Sequence, residues 1–354
     1  MTKAWLSVLI CLATGAVQAL EPPQTKLYDE MFGPWPAPPQ ITELGWLAKS
    51  PDPVARVTRA RARDVPRNLS AMVELGRLAF RYPGTLGGYA ARQGLSCNVC
   101  HPAGQAQTSF ELKPYSGRPG HIDITNALFS PLGEDGLHNP VKIPDLRKAR
   151  APFGTIQPLD ELEPFINRVV RVEFGGTYAH PLILSALTAY VHALKAPQTA
   201  GAKSTDAALR KAGHAEQMIR LAFEDLDRAM GVVAAAIAAE DAPLTQFAVA
   251  ATRSELGRIY ERLDPLDPSR ASLSLLSEQL REISNAMGRD NLRAARGFVE
   301  LVYEQLVIER EEVLSRADLT YYNEDYLRAA LSPSKPHPLD PPWPPKGADD
   351  GSAQ

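Results

Sequence analysis

Cys97-Asn98-Val99-Cys100-His101 is the feature that most constrains this chain. Its spacing sets two thiols one helical turn apart with an imidazole directly after them. Each thiol can then form a thioether with one of the two vinyl groups of a haem, and the imidazole comes to lie under the iron as proximal ligand. That chemistry needs the thiols and the imidazole alone, so it leaves Asn98 and Val99 free to vary. A thiol–disulfide centre would follow a strand in a βαβ unit, and no such pattern precedes Cys97. A structural zinc site needs four ligands, and no other cysteine occurs after Leu20. Two ordinary buried cysteines beside a histidine are the remaining alternative. Cys97, Cys100 and His101 are therefore expected to bind one covalent haem c, with His101 on the iron.

The rest of the sequence bears on the compartment and the partners. Residues 1–19 read as a signal peptide: Lys3 supplies the charged start, Trp5 to Ala13 the apolar stretch, and Val17-Gln18-Ala19 the small-residue cleavage site. Cleavage there removes Cys11 and leaves the two cysteines of the motif. No later apolar run approaches the ~20 residues of a membrane span. A formal net charge of −3 offers no electrostatic case for nucleic acid. The expectation is an exported, periplasmic protein with no membrane span, meeting a redox partner protein.

Along the chain, residues 20–67 form a Pro-rich arm with a run of arginines from Arg56 to Arg67. Asn68 or Ser70 can cap a helix that runs to about Arg81 before Pro83, with Met72, Leu75, Ala79 and Phe80 at helical spacing. A second helix spans about Pro181 to Leu194, and an apolar periodicity from Leu159 to Phe174 supplies a third. After a linker at 197–205 the composition turns to long Ala-, Leu-, Glu- and Arg-rich helices. Their stripes include Ile219, Leu226 and Val233, then Val249, Leu256 and Ile259, then Leu276, Leu280 and Ile283, then Ala295, Val299, Val302 and Leu306. Asp241, Asp267-Pro268 and Asp290 are read as helix starts, and Gly288 as a stop. The fold class expected is all-α: a cytochrome c-like haem domain over 68–196, then a four-helix bundle over 206–331, then a Pro-rich tail over 332–354.

Gly76 and Phe80 on the first helix, with Leu187 and Tyr190 on the later one, resemble the crossing helix pair of class I cytochromes c. More specifically, the stretch Leu75–Leu194 resembles the di-haem cytochrome c peroxidases and methylamine-utilisation-type enzymes. The residues that carry this are Leu75-Gly76-Arg77 with Phe80, Leu95 to His101, Arg118, Asn126-Ala127-Leu128-Phe129, Ile143-Pro144-Asp145-Leu146-Arg147, and Leu162-Glu163-Pro164-Phe165. Those enzymes bind two haems through two such motifs, whereas this chain has one. The resemblance thus implies a haem domain without transfer between two haems of one chain.

The sixth iron ligand decides between electron transfer and catalysis. No methionine lies between His101 and Leu194, which leaves His121, His138, His180 and His192, with Tyr178 a weaker choice. His180 is the distal ligand expected, since it ends the loop that resembles the family's distal loop. His214 and Met218 share a face of the first bundle helix and read as core packing. Arg118, Arg147, Lys148 and Arg150 are candidates to neutralise haem propionates. The leading expectation is a mono-haem electron carrier whose bundle serves as a docking or oligomerisation surface. A peroxidase- or oxidase-like enzyme with an open distal site, and a non-redox haem sensor, are the alternatives.

Overall fold

The computed structural model describes residues 70–113, 115–127, 129, 133–147, 159–194 and 213–331. The signal peptide, the Pro-rich arm, the linker at 197–205 and the Pro-rich tail lie outside the described residues, as do Lys148 and Arg150. The described residues are mostly helical, with ten α-helices among them.

Helix α1 (Ala71–Arg81) starts where Ser70 Oγ accepts the amide of Val73, and it carries Glu74 in its first turn and Arg81 in its last, both favourable to the helix dipole. Helix α2 (Gly88–Arg92) and the single turn α3 (Cys97–Cys100) come next, then an irregular stretch holding a two-stranded antiparallel ribbon, β1 (His121–Ile122) with β2 (Val141–Lys142). Helix α4 (Leu159–Arg168) runs into a π turn over Val169–Glu173, and α5 (Leu182–Ala193) closes this part of the chain. A π turn adds a residue and so rotates the side chains beyond it about the helix axis. The single apolar face expected over 159–174 is not seen: Leu162 and Val170 are buried, while Val172, within the π turn, and Phe165, before it, are exposed.

α1 and α5 cross in close contact, and the sequence shows why. A Cβ on Gly76 would stand 1.9 Å from the carbonyl oxygen of Ala186 and 2.8 Å from Tyr190 Cβ, so no other residue permits this approach. Phe80 and Tyr190 meet beside it with ring centroids 5.1 Å apart. Of the residues singled out in the sequence, Gly76 and Phe80 thus both face Tyr190.

Four long helices form the bundle: α6 (His214–Ala238), α7 (Ala242–Tyr260), α8 (Ser269–Gly288) and α9 (Leu292–Ser315). Each packs on the next and α9 returns to α6, as short connections require. Asp241 caps α7 by accepting the amide of Leu244 at 2.9 Å, and Asp267 receives the amide of Ser269 at 2.8 Å. The start of α9 differs from expectation. Asn291, not Asp290, caps it, and Asp290 takes φ +54° in the turn, where a short polar side chain is tolerated. A short helix α10 (Glu324–Ala330) comes last, and the chain before it bridges Leu263 to Thr320.

α1 also packs on α6 and α7. Arg81 donates to both carboxylate oxygens of Glu255 at 2.7 Å, and Arg77 donates to Asp225 at 2.8 Å. Arg228 grips Glu74 from the other side at 2.7 Å. Among the acidic residues of the bundle, Glu255 and Glu309 are both buried.

Candidate functional site

The site begins with Ser96, an extended residue that leads into the turn α3. Val99 is buried in the core, and Cys97 and Cys100 are half-buried with free thiols. Burial pushes both thiols up to about 12, so they stay protonated. The amide of His101 donates to Cys97 O at 2.9 Å, which closes the turn and sets the imidazole directly after the second thiol.

Asn98 and Val99, which the attachment chemistry leaves free, are both used. Asn98 is buried and its Oδ1 accepts the amide of Ala103 at 3.2 Å. That bond holds the chain just after His101, where Ala103 takes φ +53°. Such a backbone is costly for a residue with a Cβ, and the Asn98 bond helps to hold it. The amide of Leu146 then donates to Gly104 O at 2.9 Å, bringing the segment Ile143–Arg147 against the turn.

The result is a precise placement of His101. Its Nδ1 lies 3.0 Å from the carbonyl oxygen of Pro144. A carbonyl oxygen can only accept, so Nδ1 carries the hydrogen and Nε2 keeps its lone pair. Burial pushes the imidazole down to about 4, against opposing pulls from the Pro144 carbonyl and Asp145, which keeps the ring neutral. A neutral imidazole with one nitrogen tied to a backbone carbonyl is the form in which histidine binds a metal. Together with two free thiols one turn apart, this donor set fits a c-type haem. Pro144 belongs to a stretch flagged in the sequence only by family resemblance. Nothing in its local pattern signals a carbonyl aimed at His101.

The distal candidates fare differently. His180 has both ring nitrogens engaged: Nδ1 accepts the amide of Leu182 at 3.1 Å, and Nε2 stands 2.9 Å from Asp241, the cap of α7. Binding iron would require it to give up Asp241. His121 is likewise occupied, by Arg118 at 3.1 Å and the Pro119 carbonyl at 3.2 Å. His138 and His192, the latter on α5, are both exposed. Tyr178 stands apart. Its hydroxyl is buried without a hydrogen-bond partner among the described residues, and burial pushes it up to about 12, with Arg171 opposing and Cys97 adding to the rise. It is thus within electrostatic reach of the first thiol.

Of the basic residues considered for propionates, Arg147 is bound to Asp145 at 2.7 Å and Arg118 to His121. Met218 is buried in the bundle, as its place in the apolar stripe implies. Among the described residues no helix is long and apolar enough to cross a membrane. No protein-family model, no curated protein and no solved structure matches the chain.

Proposed function

We propose that this chain is an exported mono-haem c-type cytochrome that carries electrons to or from a redox partner in the periplasm. The observation that carries the reading is the Cys97–His101 turn, with His101 Nδ1 committed to Pro144 and Nε2 left for a metal. Cys97 and Cys100 would hold the haem by thioethers and His101 would ligate its iron. When bound, haem c supplies one-electron redox chemistry. The chain's own part is to hold the imidazole neutral and fixed in rotation, so that the ligand does not change its protonation between oxidation states. The test is a denaturing gel stained for haem. The wild type is expected to stain and the Cys97→Ala/Cys100→Ala protein to be blank; a stained double variant would overturn the reading.

One observation favours a second reading, that of a peroxidase- or oxidase-like enzyme. His180 is tied to Asp241 while the buried hydroxyl of Tyr178 lacks a partner among the described residues, so no histidine of that loop stands ready to saturate the iron. A high-spin ferric spectrum together with turnover of peroxide by an added electron donor would favour this reading. A low-spin protein inert to peroxide supports the carrier.

A further inference from the structure

The bundle carries apolar side chains that its own packing does not use. Leu275 on α8 and Leu301 and Ile308 on α9 are between 50 and 59 % exposed. A lone exposed leucine is ordinary, whereas a contiguous apolar strip marks a contact surface. At about 100° per residue, Leu275 lies about 160° round α8 from Ser277, which accepts a hydrogen bond from Arg253 of α7 at 2.9 Å. Leu301 and Ile308 lie about 180° and about 160° round α9 from Arg310, which pairs with Asp227 of α6 at 3.3 Å. All three thus turn away from α6 and α7 and share the outer face of α8 and α9. Their heights agree as well. The two helices run antiparallel from the turn at 289–291. At about 1.5 Å per residue, Leu275 stands about 20 Å from that turn, between Leu301 at about 14 Å and Ile308 at about 24 Å.

The charges of α9 are set against its own dipole. Its first turn holds no acidic residue and its last turn no basic one. Arg293 and Arg296 stand towards its N-terminal end, and Glu304 and Glu311 in its second half, all four exposed. Glu312 is answered by Arg316 at 3.0 Å, but those four make no ion pair among the described residues. Cations at the positive end of a helix and anions at the negative end are unfavourable to that helix alone. An antiparallel copy of α9 reverses the balance, because the arginines of each copy then lie along the glutamates of the other. A partner of one uniform charge would suit one end of this face and be repelled by the other.

We propose that the outer face of α8 and α9 binds a second copy of this chain across a twofold axis, with the two α9 helices antiparallel. Leu275, Leu301 and Ile308 form the centre, and Arg293 and Arg296 face the partner's Glu304 and Glu311. Such a face is self-complementary, as twofold pairing requires. The helices are about 36 Å and about 30 Å long and each about 10 Å across, so together they offer roughly 700 Å². A standard interface buries about 800 Å² on each partner. The apolar centre supplies affinity and the exposed charges set the direction. None of these residues belongs to the Cys97–His101 turn, so the pairing needs no haem.

The test is the mass of the full chain in sedimentation equilibrium, from micromolar to sub-millimolar concentration. The expected mass is that of two chains. A mass of one chain throughout would overturn the proposal, whether the face is bare, covered by another segment of the chain or kept for a different protein. Leu301→Glu/Ile308→Glu is expected to halve the mass while far-ultraviolet circular dichroism remains helical. Should that variant fail to fold, charge exchange decides. Arg293→Glu/Arg296→Glu and, separately, Glu304→Arg/Glu311→Arg should each sediment as one chain at low salt. Mixing the two should restore the mass of two chains, since each end of one variant then meets the opposite charge on the other. A two-chain mass that these substitutions leave unmoved, or a mixture that stays at one chain, would overturn the proposal.

Discussion

His101 donates from Nδ1 to the carbonyl oxygen of Pro144 across 3.0 Å, and the two residues lie 43 positions apart in the chain. The irregular stretch between them thus serves to bring one backbone acceptor to the ring beside the two thiols. Outer partners of this kind commonly change metal affinity by about 10–100-fold. The His101→Ala protein is expected to keep little stable haem when the haem content of purified protein is measured by its pyridine haemochrome spectrum. Retention of full haem by that variant would remove His101 from the site.

The α1–α5 crossing rests on Gly76. An added Cβ would meet the Ala186 carbonyl, which belongs to the α5 backbone and cannot swing aside. Gly76→Ala is therefore expected to destabilise the fold by about 3 kcal/mol, towards the upper end of overpacking costs, despite alanine's better helix propensity. Urea unfolding followed by circular dichroism measures this, and a variant as stable as wild type would show that the helices can part without cost.

Arg81 joins α1 to the bundle through Glu255, with both side chains nearly excluded from solvent. Breaking a buried pair by removing one partner costs about 3–5 kcal/mol, because the other charge is left uncompensated. Arg81→Met should lose that much in urea. Arg81→Met/Glu255→Met should lose clearly less than the sum of the single changes, since neither member of this pair is then left facing the place of the other.

The same carboxylate gives a pH dependence. Glu255 is held below its ordinary value, burial being outweighed by Arg258 and Arg81. The unfolded chain therefore takes up this proton at higher pH than the folded one. Its contribution is present above the unfolded value of about 4.3 and is lost as the pH falls through the folded value. Tm measured at intervals from pH 7 downward should show the gap between wild type and Glu255→Gln closing below about pH 4.3. A gap that stays constant would mean that Glu255 does not titrate with unfolding.

His180 and Tyr178 make opposite predictions on the distal side. With both ring nitrogens of His180 engaged by Leu182 and Asp241, His180→Ala is expected to leave the ferric absorption spectrum of the haem-loaded protein unchanged. A change from low to high spin would assign the sixth ligand to His180 instead. Tyr178→Phe removes a buried hydroxyl that lacks a partner among the described residues, so the haem-free protein should gain about 1 kcal/mol or remain unaltered in urea. A shift of the Soret band in the loaded variant would show that the hydroxyl addresses the haem.

The features that residues dictate locally were legible in the chain: the two thiols and the imidazole at their spacing, Gly76 opposite Tyr190, the four apolar stripes of the bundle, and the caps at Ser70 and Asp241. Each depends on periodicity or on neighbours a few positions away, and such signals are written along the chain itself. Contacts between distant segments had no such record. Nothing near Pro144 marks its carbonyl as the partner of His101, because every residue carries a carbonyl and only tertiary packing aims one. The charges of Arg81 and Glu255 are those of any exposed helix until α1 lies on α7 and burial forces them together. His180 reads as a loop histidine facing a haem until the bundle presents Asp241 to it. Side-chain chemistry was set by sequence, whereas the partner each group meets was decided by the packing of segments that lie up to 177 residues apart.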